Sequence, residues 1–210
     1  MANEEKVIEI QKICPKTVTV HIVGDTDLVI NKMNDVTARE LTDIRNDKAK
    51  KLEKPNEWEK IITSIHWRDG KPKEFNEESF VDALTNNAPC ITSFGLRKSF
   101  GEAVVRFGVD KYSTKIDACM NILAPNGLVP IKFAEHFLEE KLMSPQKGRP
   151  VLVKINRFSG WSADIKIKFL ESVYTLEQIV NIINLAGFGI GISSGRRGNC
   201  NGRYHVESVI

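Results

Sequence analysis

Apolar and polar residues alternate most clearly in three stretches. In TVTVHIVG, residues 17 to 24, Val18, Val20 and Ile22 recur at every second position, the period of a strand with one face buried. VLVKINRFSGWSADIKIKF, residues 151 to 169, alternates twice, at Val151, Val153 and Ile155 and again at Ile165, Ile167 and Phe169, with Ser159 and Gly160 between the two runs. That pattern predicts a β-hairpin. GRYHVESVI ends the chain as a further strand. The period becomes helical in TLEQIVNIINLAGFG, where Leu176, Ile179, Val180, Ile183 and Leu185 form an apolar stripe and Thr175 with Gln178 fits a capping box.

The region between these stretches reads as mostly helical. Residues 36 to 62 predict one or two helices with Val36, Leu41, Ile44, Trp58, Ile61 and Ile62 inward, interrupted by the charged run RNDKAKKLEKPNE. Its Lys48, Lys50, Lys51 and Lys54 suit a solvated face, with contact to a phosphate backbone as the alternative. Residues 77 to 88 predict a helix with Phe80, Ala83 and Leu84 inward. In residues 90 to 117, Phe100, Val104 and Phe107 fall at helical spacing and read as core. The same stretch interleaves Phe94 and Tyr112 with Arg97, Lys98, Arg106 and Lys111, which is the chemistry that holds single strands by stacking and phosphate neutralisation. NILAPNGLVPIKF, residues 121 to 133, is a hairpin or strand junction around Pro125, Asn126 and Gly127. A lead-in element over 6 to 13 and a polar connection, SPQKGRP at 144 to 150, complete the chain.

These elements predict one α+β domain over residues 1 to 210, a ferredoxin-like antiparallel sheet with helices on one face. Residues 36 to 120 form a largely helical insertion in this reading, and residues 150 to 210 form a terminal unit of hairpin, helix, glycine-rich loop and strand.

Composition narrows function only modestly. The apolar share of 41% and charged share of 27% are those of an ordinary globular chain, and the net charge of +3 does not by itself imply a polyanionic partner. Its distribution is more informative. Residues 141 to 210 carry ten Lys and Arg against four Asp and Glu, whereas residues 1 to 140 carry 20 against 23. Cys14, Cys90, Cys119 and Cys200 are widely spaced with no zinc-ligand pattern, so four reduced thiols are expected. No metal or cofactor is expected either, including at the paired acids Asp25 and Asp27, which suit a turn at a strand end. The start, MANEEKVIEIQK, lacks the order of a secretory signal. A cytoplasmic protein without membrane contact is the expectation.

The basic surplus coincides with AGFGIGISSGRRGNCNGRYHV, residues 186 to 206, which holds six glycines and three arginines. Glycine permits close approach of a ligand or another backbone, and forked guanidinium donors beside backbone N–H groups suit phosphate oxygens. The candidate nucleic-acid or phosphate contacts are therefore Gly189, Gly191, Ser193, Ser194, Arg196, Arg197, Gly198 and Arg203, with Tyr204 as a stacking ring. Lys154 and Arg157, grouped with Lys166 and Lys168, extend the basic surface, and Trp161 either stacks a base or packs the hairpin. A helix precedes this loop, so the helix end facing it is the C-terminus, whose dipole disfavours anions. The loop and its arginines must supply the attraction.

Helix, glycine-rich loop and terminal strand in this order resemble the RAMP superfamily, CRISPR-associated RNA-binding proteins with ferredoxin-like folds. VTVHIVGDTDLVI, RFSGWSADIKIKF and the glycine-rich ending are also similar to a family of uncharacterised phage proteins. The resemblance implies a ferredoxin-like fold and a phage-encoded protein in the host cytoplasm, and the loop with its arginines adds the expectation that it binds RNA or single-stranded DNA without enzymatic activity. Sequestration of a small linear or cyclic nucleotide is the alternative, as is assembly through a loop that packs on a neighbouring copy. RAMP nucleases often use a His or a Tyr-Lys set; here His205 follows Tyr204 with no partner fixed by spacing, so no catalytic residue is assigned.

Overall fold

The computed structural model describes residues 13–45, 56–143 and 150–210. Residues 6 to 12 of the expected lead-in, the lysines at 48, 50, 51 and 54, the connection over 144–149 and the side chains of Ile44 and Val151 lie outside the described parts. In chain order the elements are β1 (Lys16–Gly24), β2 (Leu28–Ile30), α1 (Asp35–Arg45), α2 (Glu57–Thr63), β3 (His66–Trp67), α3 (Glu77–Asn86), β4 (Pro89–Thr92), α4 (Ser93–Arg106) and α5 (Thr114–Cys119). They continue as β5 (Met120–Ile122), β6 (Leu128–Lys132), β7 (Glu135–Met143), β8 (Val151–Ser159), β9 (Ser162–Phe169), α6 (Leu176–Gly189) and β10 (Tyr204–Val209).

The chain is α+β, with a mostly antiparallel main sheet ordered β10-β1-β9-β6-β4-β3 and β5 also paired to β9. β1 sits between β9 and β10, antiparallel to both. Its alternation sends Val20 and Ile22 into the core with no exposed surface, opposite Ile165 and Ala163 of β9 on the same face. β5 and β6 do not pair with each other. They follow one another along β9, joined by a turn at Pro125–Gly127 in which Asn126 takes a φ of 53°. Residues 121 to 133 are thus a strand junction.

The hairpin expected over 151 to 169 does not form. β8 pairs with β2 and β7 in a separate three-stranded sheet, while β9 belongs to the main sheet. Gly160 makes the corner with a φ of +56°, and a Cβ there would lie 2.9 Å from the Cβ of Ala134. Glycine alone takes that conformation cheaply beside so close a neighbour. The alternation is correct for each strand, but it carries no information about the partner that each strand chooses.

α4 and α6 pack against one another. Phe100, Ala103 and Val104 of α4 and Ile179, Ile182, Ile183 and Ala186 of α6 join the sheet residues in one core. The Thr175–Gln178 capping box is present at the start of α6, with reciprocal bonds of 2.9 and 3.2 Å. Leu41 and Phe107, expected inside, are exposed. Among its described residues the stretch from 36 to 120 holds five helices, but it also contributes β3 and β4 to the main sheet, so it is built into the fold rather than attached to it.

Candidate functional site

The glycine-rich loop closes a joint between α6, β10 and the turn after β1. A Cβ on Gly187 would lie 1.9 Å from the Tyr204 carbonyl oxygen, one on Gly189 would lie 2.2 Å from the Phe107 ring, and one on Gly202 would lie 2.3 Å from the Ile192 carbonyl oxygen. A Cβ on Gly191, at φ +72°, would lie 2.9 Å from the Asn201 carbonyl oxygen and 3.1 Å from that of Gly202. These glycines admit neighbouring protein backbone and side chains rather than a ligand. The serines are similarly engaged: Ser193 Oγ donates to the Val29 carbonyl at 2.6 Å and Ser194 Oγ to the Asn31 carbonyl at 3.2 Å. The GDTD turn holds the loop from the other side. Thr26 Oγ1 donates to the Cys200 carbonyl at 2.8 Å, and the Gly202 N–H donates to the Asp27 carbonyl at 2.8 Å.

Neither predicted stacking ring is available. Trp161 and Tyr204 have no exposed surface, and their rings meet edge to face at 6.1 Å. Trp161 Nε1 donates to the Thr26 carbonyl at 2.8 Å, which fixes the turn after β1 from beneath. Burial raises the Tyr204 phenol pKa, with Ser99 and Arg196 acting in the opposite sense.

The predicted basic surface is also divided. Lys154 and Arg157 are three residues apart on one strand and therefore project to opposite faces. Lys154 pairs with Glu57 at 3.0 Å, and Arg157 makes a two-pronged contact with Glu139 and lies 3.5 Å from Asp27. Lys166 and Lys168 belong to the other sheet. Arg203 donates to the Phe188 carbonyl at 2.9 Å, placing a cation on the C-terminal end of α6 where the helix dipole favours one.

Arg196 and Arg197 turn toward α4, where each places a guanidinium nitrogen 3.1 Å from the Glu102 carboxylate. Arg106, one turn further along α4, reaches the same carboxylate at 2.7 Å. Three guanidiniums around one carboxylate leave a local positive surplus. Arg196 is enclosed at 17% side-chain exposure, but Arg197 is open at 70%. Gly198 has no neighbour within 4 Å of its Cβ position.

Arg197 therefore belongs to a cleft of about 750 Å³ along the outer face of α4, which also includes Phe94, Arg97, Lys98 and Val105. Positions 94, 97, 98, 101 and 105 recur every three or four residues and share one helix face. The Phe94 ring is 72% exposed, with Lys98 Nζ 5.9 Å from its centre. Arg97 donates to the Asp117 carbonyl at 2.8 Å. This face unites the two stretches that the sequence singled out separately, 90 to 117 and the C-terminal loop.

A smaller cavity of about 180 Å³ lies at the start of α4 and includes Lys32, His66, Cys90, Ser193 and Ser194. His66 and Cys90 are paired across β3 and β4, yet they do not make an activated nucleophile. Burial pushes the Cys90 thiol up to about 11, and burial together with Lys32 lowers the His66 pKa. Both groups are held neutral, the opposite of a thiolate–imidazolium pair. Among the described residues no group of three or more His, Cys, Asp or Glu side chains is arranged to hold a metal, and no helix is long and apolar enough to cross a membrane. In comparisons with known proteins, no family model and no curated relative matches the chain.

Proposed function

We propose that the chain binds single-stranded nucleic acid, RNA or single-stranded DNA, along the outer face of α4. The observation that carries this reading is the cleft that exposed Phe94 lines together with Arg97, Lys98 and Arg197, their charge partly offset by Glu102 and Asp117. An aromatic face accepts any base at about 1–3 kcal/mol, and cations beside it neutralise the flanking phosphates. The glycine-rich loop contributes by holding Arg197 in place, not by cradling phosphate with its backbone.

The strand order β10-β1-β9 followed by β5 and β6, with α4 and α6 packed together, supports a ferredoxin-like core and the resemblance to RAMP proteins. In contrast, the outward residues of β1 and β9, including Thr17, Thr19, His21, Lys166 and Lys168, contain no Phe, Tyr or Trp ring. The reading therefore locates base stacking on a helix rather than on the sheet platform used by RNA-recognition domains.

The test is an electrophoretic shift series with labelled single-stranded oligonucleotides. Phe94→Ala and Arg197→Ala should each weaken binding severalfold, and Arg197→Ala should flatten the salt dependence by about 0.7 in the log–log slope. Wild-type affinity in both variants rejects the cleft. The cleft volume of about 750 Å³ also falls within the range of small-ligand pockets, which favours a small nucleotide as the second reading. Calorimetry with mononucleotides, dinucleotides and longer strands separates the two, because a pocket gains nothing from added length.

A further inference from the structure

The segment that follows β2 is pinned between β3 and the glycine-rich loop. The Lys32 N–H donates to the Ser64 carbonyl at 2.9 Å, and the Ser194 N–H donates to the Val29 carbonyl at 3.0 Å. Together with the Ser193 and Ser194 hydroxyls, which donate to the Val29 and Asn31 carbonyls, these bonds bring separate parts of the chain around the cavity of about 180 Å³ at the start of α4. Its charge is one-sided. Lys32 and His66 both border it, and none of the described residues that line it is an Asp or Glu.

Among the described residues, neither the Lys32 nor the His66 side chain has a hydrogen bond or an ion pair. Asp35 feels the charge of Lys32 but is itself bonded to Lys71, and Arg68, beyond Cys90, is bonded to Asp69 at 2.8 Å. Cys90, opposite His66 in the sheet register, donates its thiol to the Ala88 carbonyl at 3.4 Å and is kept neutral by burial. Burial, and then the charge of Lys32, hold the His66 pKa below 6.5. Two part-buried groups that can each carry a positive charge thus face one cavity without the counter-charge that such groups ordinarily have. A bound anion supplies it, and favours the protonated form of His66 as it does so.

We propose that this cavity binds a small tetrahedral oxyanion, a phosphate or sulfate group, between Lys32 and His66. At about 180 Å³ it is smaller than the roughly 300–1,000 Å³ of pockets that take whole small molecules, so it holds the charged group and not an entire nucleotide. The hydroxyls of Ser193 and Ser194 have their protons on backbone carbonyls, so they shape the wall while the lysine and imidazole supply the attraction. Thr92 caps α4 at the cavity, and the helix dipole adds to that attraction. The site shares no lining residue with the α4 cleft and does not depend on nucleic-acid binding there.

The experiment titrates the whole protein with sulfate in chloride buffers of constant ionic strength, following the His66 ring and the Thr92–Leu96 amides by NMR. Sulfate keeps both charges throughout the range in which an imidazole titrates, so a change of affinity with pH belongs to the protein. The shifts should saturate, the titration midpoint of His66 should rise when sulfate is bound, and affinity should strengthen as pH falls through that range, because the bound state takes up a proton. Lys32→Gln and His66→Gln should each weaken binding about tenfold or more, the loss of one charge-assisted contact. Lys132→Gln makes the same change of charge as Lys32→Gln at a lysine that is 80% exposed, and it should leave the affinity at the wild-type value. Melting curves check that the variants are folded. Repeating the titration with inorganic phosphate and with phenyl phosphate separates the sources of the group: equal affinity assigns the end of a larger molecule, and exclusion of the ester assigns the free ion. Shifts that never saturate, a His66 midpoint that sulfate leaves in place, or wild-type affinity in the Lys32→Gln/His66→Gln double variant overturns the proposal.

Discussion

The α carbon of Gly187 faces the carbonyl oxygen of Tyr204 so closely that an added Cβ would lie 1.9 Å from it. The obstacle is backbone at the start of β10 and cannot turn aside. Gly187→Ala should therefore cost about 3 kcal/mol, at the upper end of ordinary overpacking, and lower the melting midpoint by about 6–12 °C in a chain of this size. Gly198→Ala, where nothing lies within 4 Å, should fall within about 0.5 kcal/mol of wild type. Calorimetric melts of the two variants check this contrast.

Trp161 is a structural anchor in this fold, so Trp161→Phe retains a buried ring while removing the donor to the Thr26 carbonyl. The expected cost is about 0.5–1.5 kcal/mol for the lost hydrogen bond, measured by urea unfolding. Oligonucleotide affinity should be unchanged at temperatures where both proteins are folded. A selective loss of affinity would show that the ring contacts nucleic acid.

Glu102 restrains three guanidiniums at once. Glu102→Gln should destabilise the protein by about 1–3 kcal/mol, as expected for lost charge-assisted hydrogen bonds, while increasing affinity for single strands and steepening its salt dependence. Titrations at several salt concentrations read both slope and affinity. If stability falls while affinity stays fixed, Arg106 and Arg197 do not contact phosphate.

Burial lowers the pKa values of both His66 and His136 below 6.5, with Lys32 adding to the effect at His66 and the Asn156 hydrogen bond opposing it at His136. The unfolded chain then binds protons more readily than the folded one. Stability should be complete above the ordinary value and fall as pH drops below it toward the folded values. His136 packs between Phe80 and Phe158 with Nε2 3.0 Å from Asn156 Oδ1, so His136→Gln should flatten the profile. Urea midpoints between about pH 7.5 and about pH 5.5 span the transition of an ordinary imidazole and test the sign.

Much of the secondary structure was legible because its signals are local. Val18, Val20 and Ile22 alternate in the sequence as they do in β1, and Thr175 with Gln178 marks the start of α6 where its capping bonds form. The candidate site was only partly legible. Arg197, Phe94, Arg97 and Lys98 were all visible as chemistry, but nothing in their spacing placed residue 197 against a helix that starts at 93. Arg157 and Lys154 were grouped by proximity in sequence although strand parity already separates them.

The sequence by itself determined the periods, caps and glycine positions, because these depend on backbone sterics and on burying one side of each element. Only the tertiary structure decided which strands pair, that Trp161 and Tyr204 face inward, and that Lys32 and His66 line one cavity. Those outcomes depend on contacts between residues far apart in the chain. Burial and strand pairing are selected there by the packing of the whole core, which no local pattern encodes.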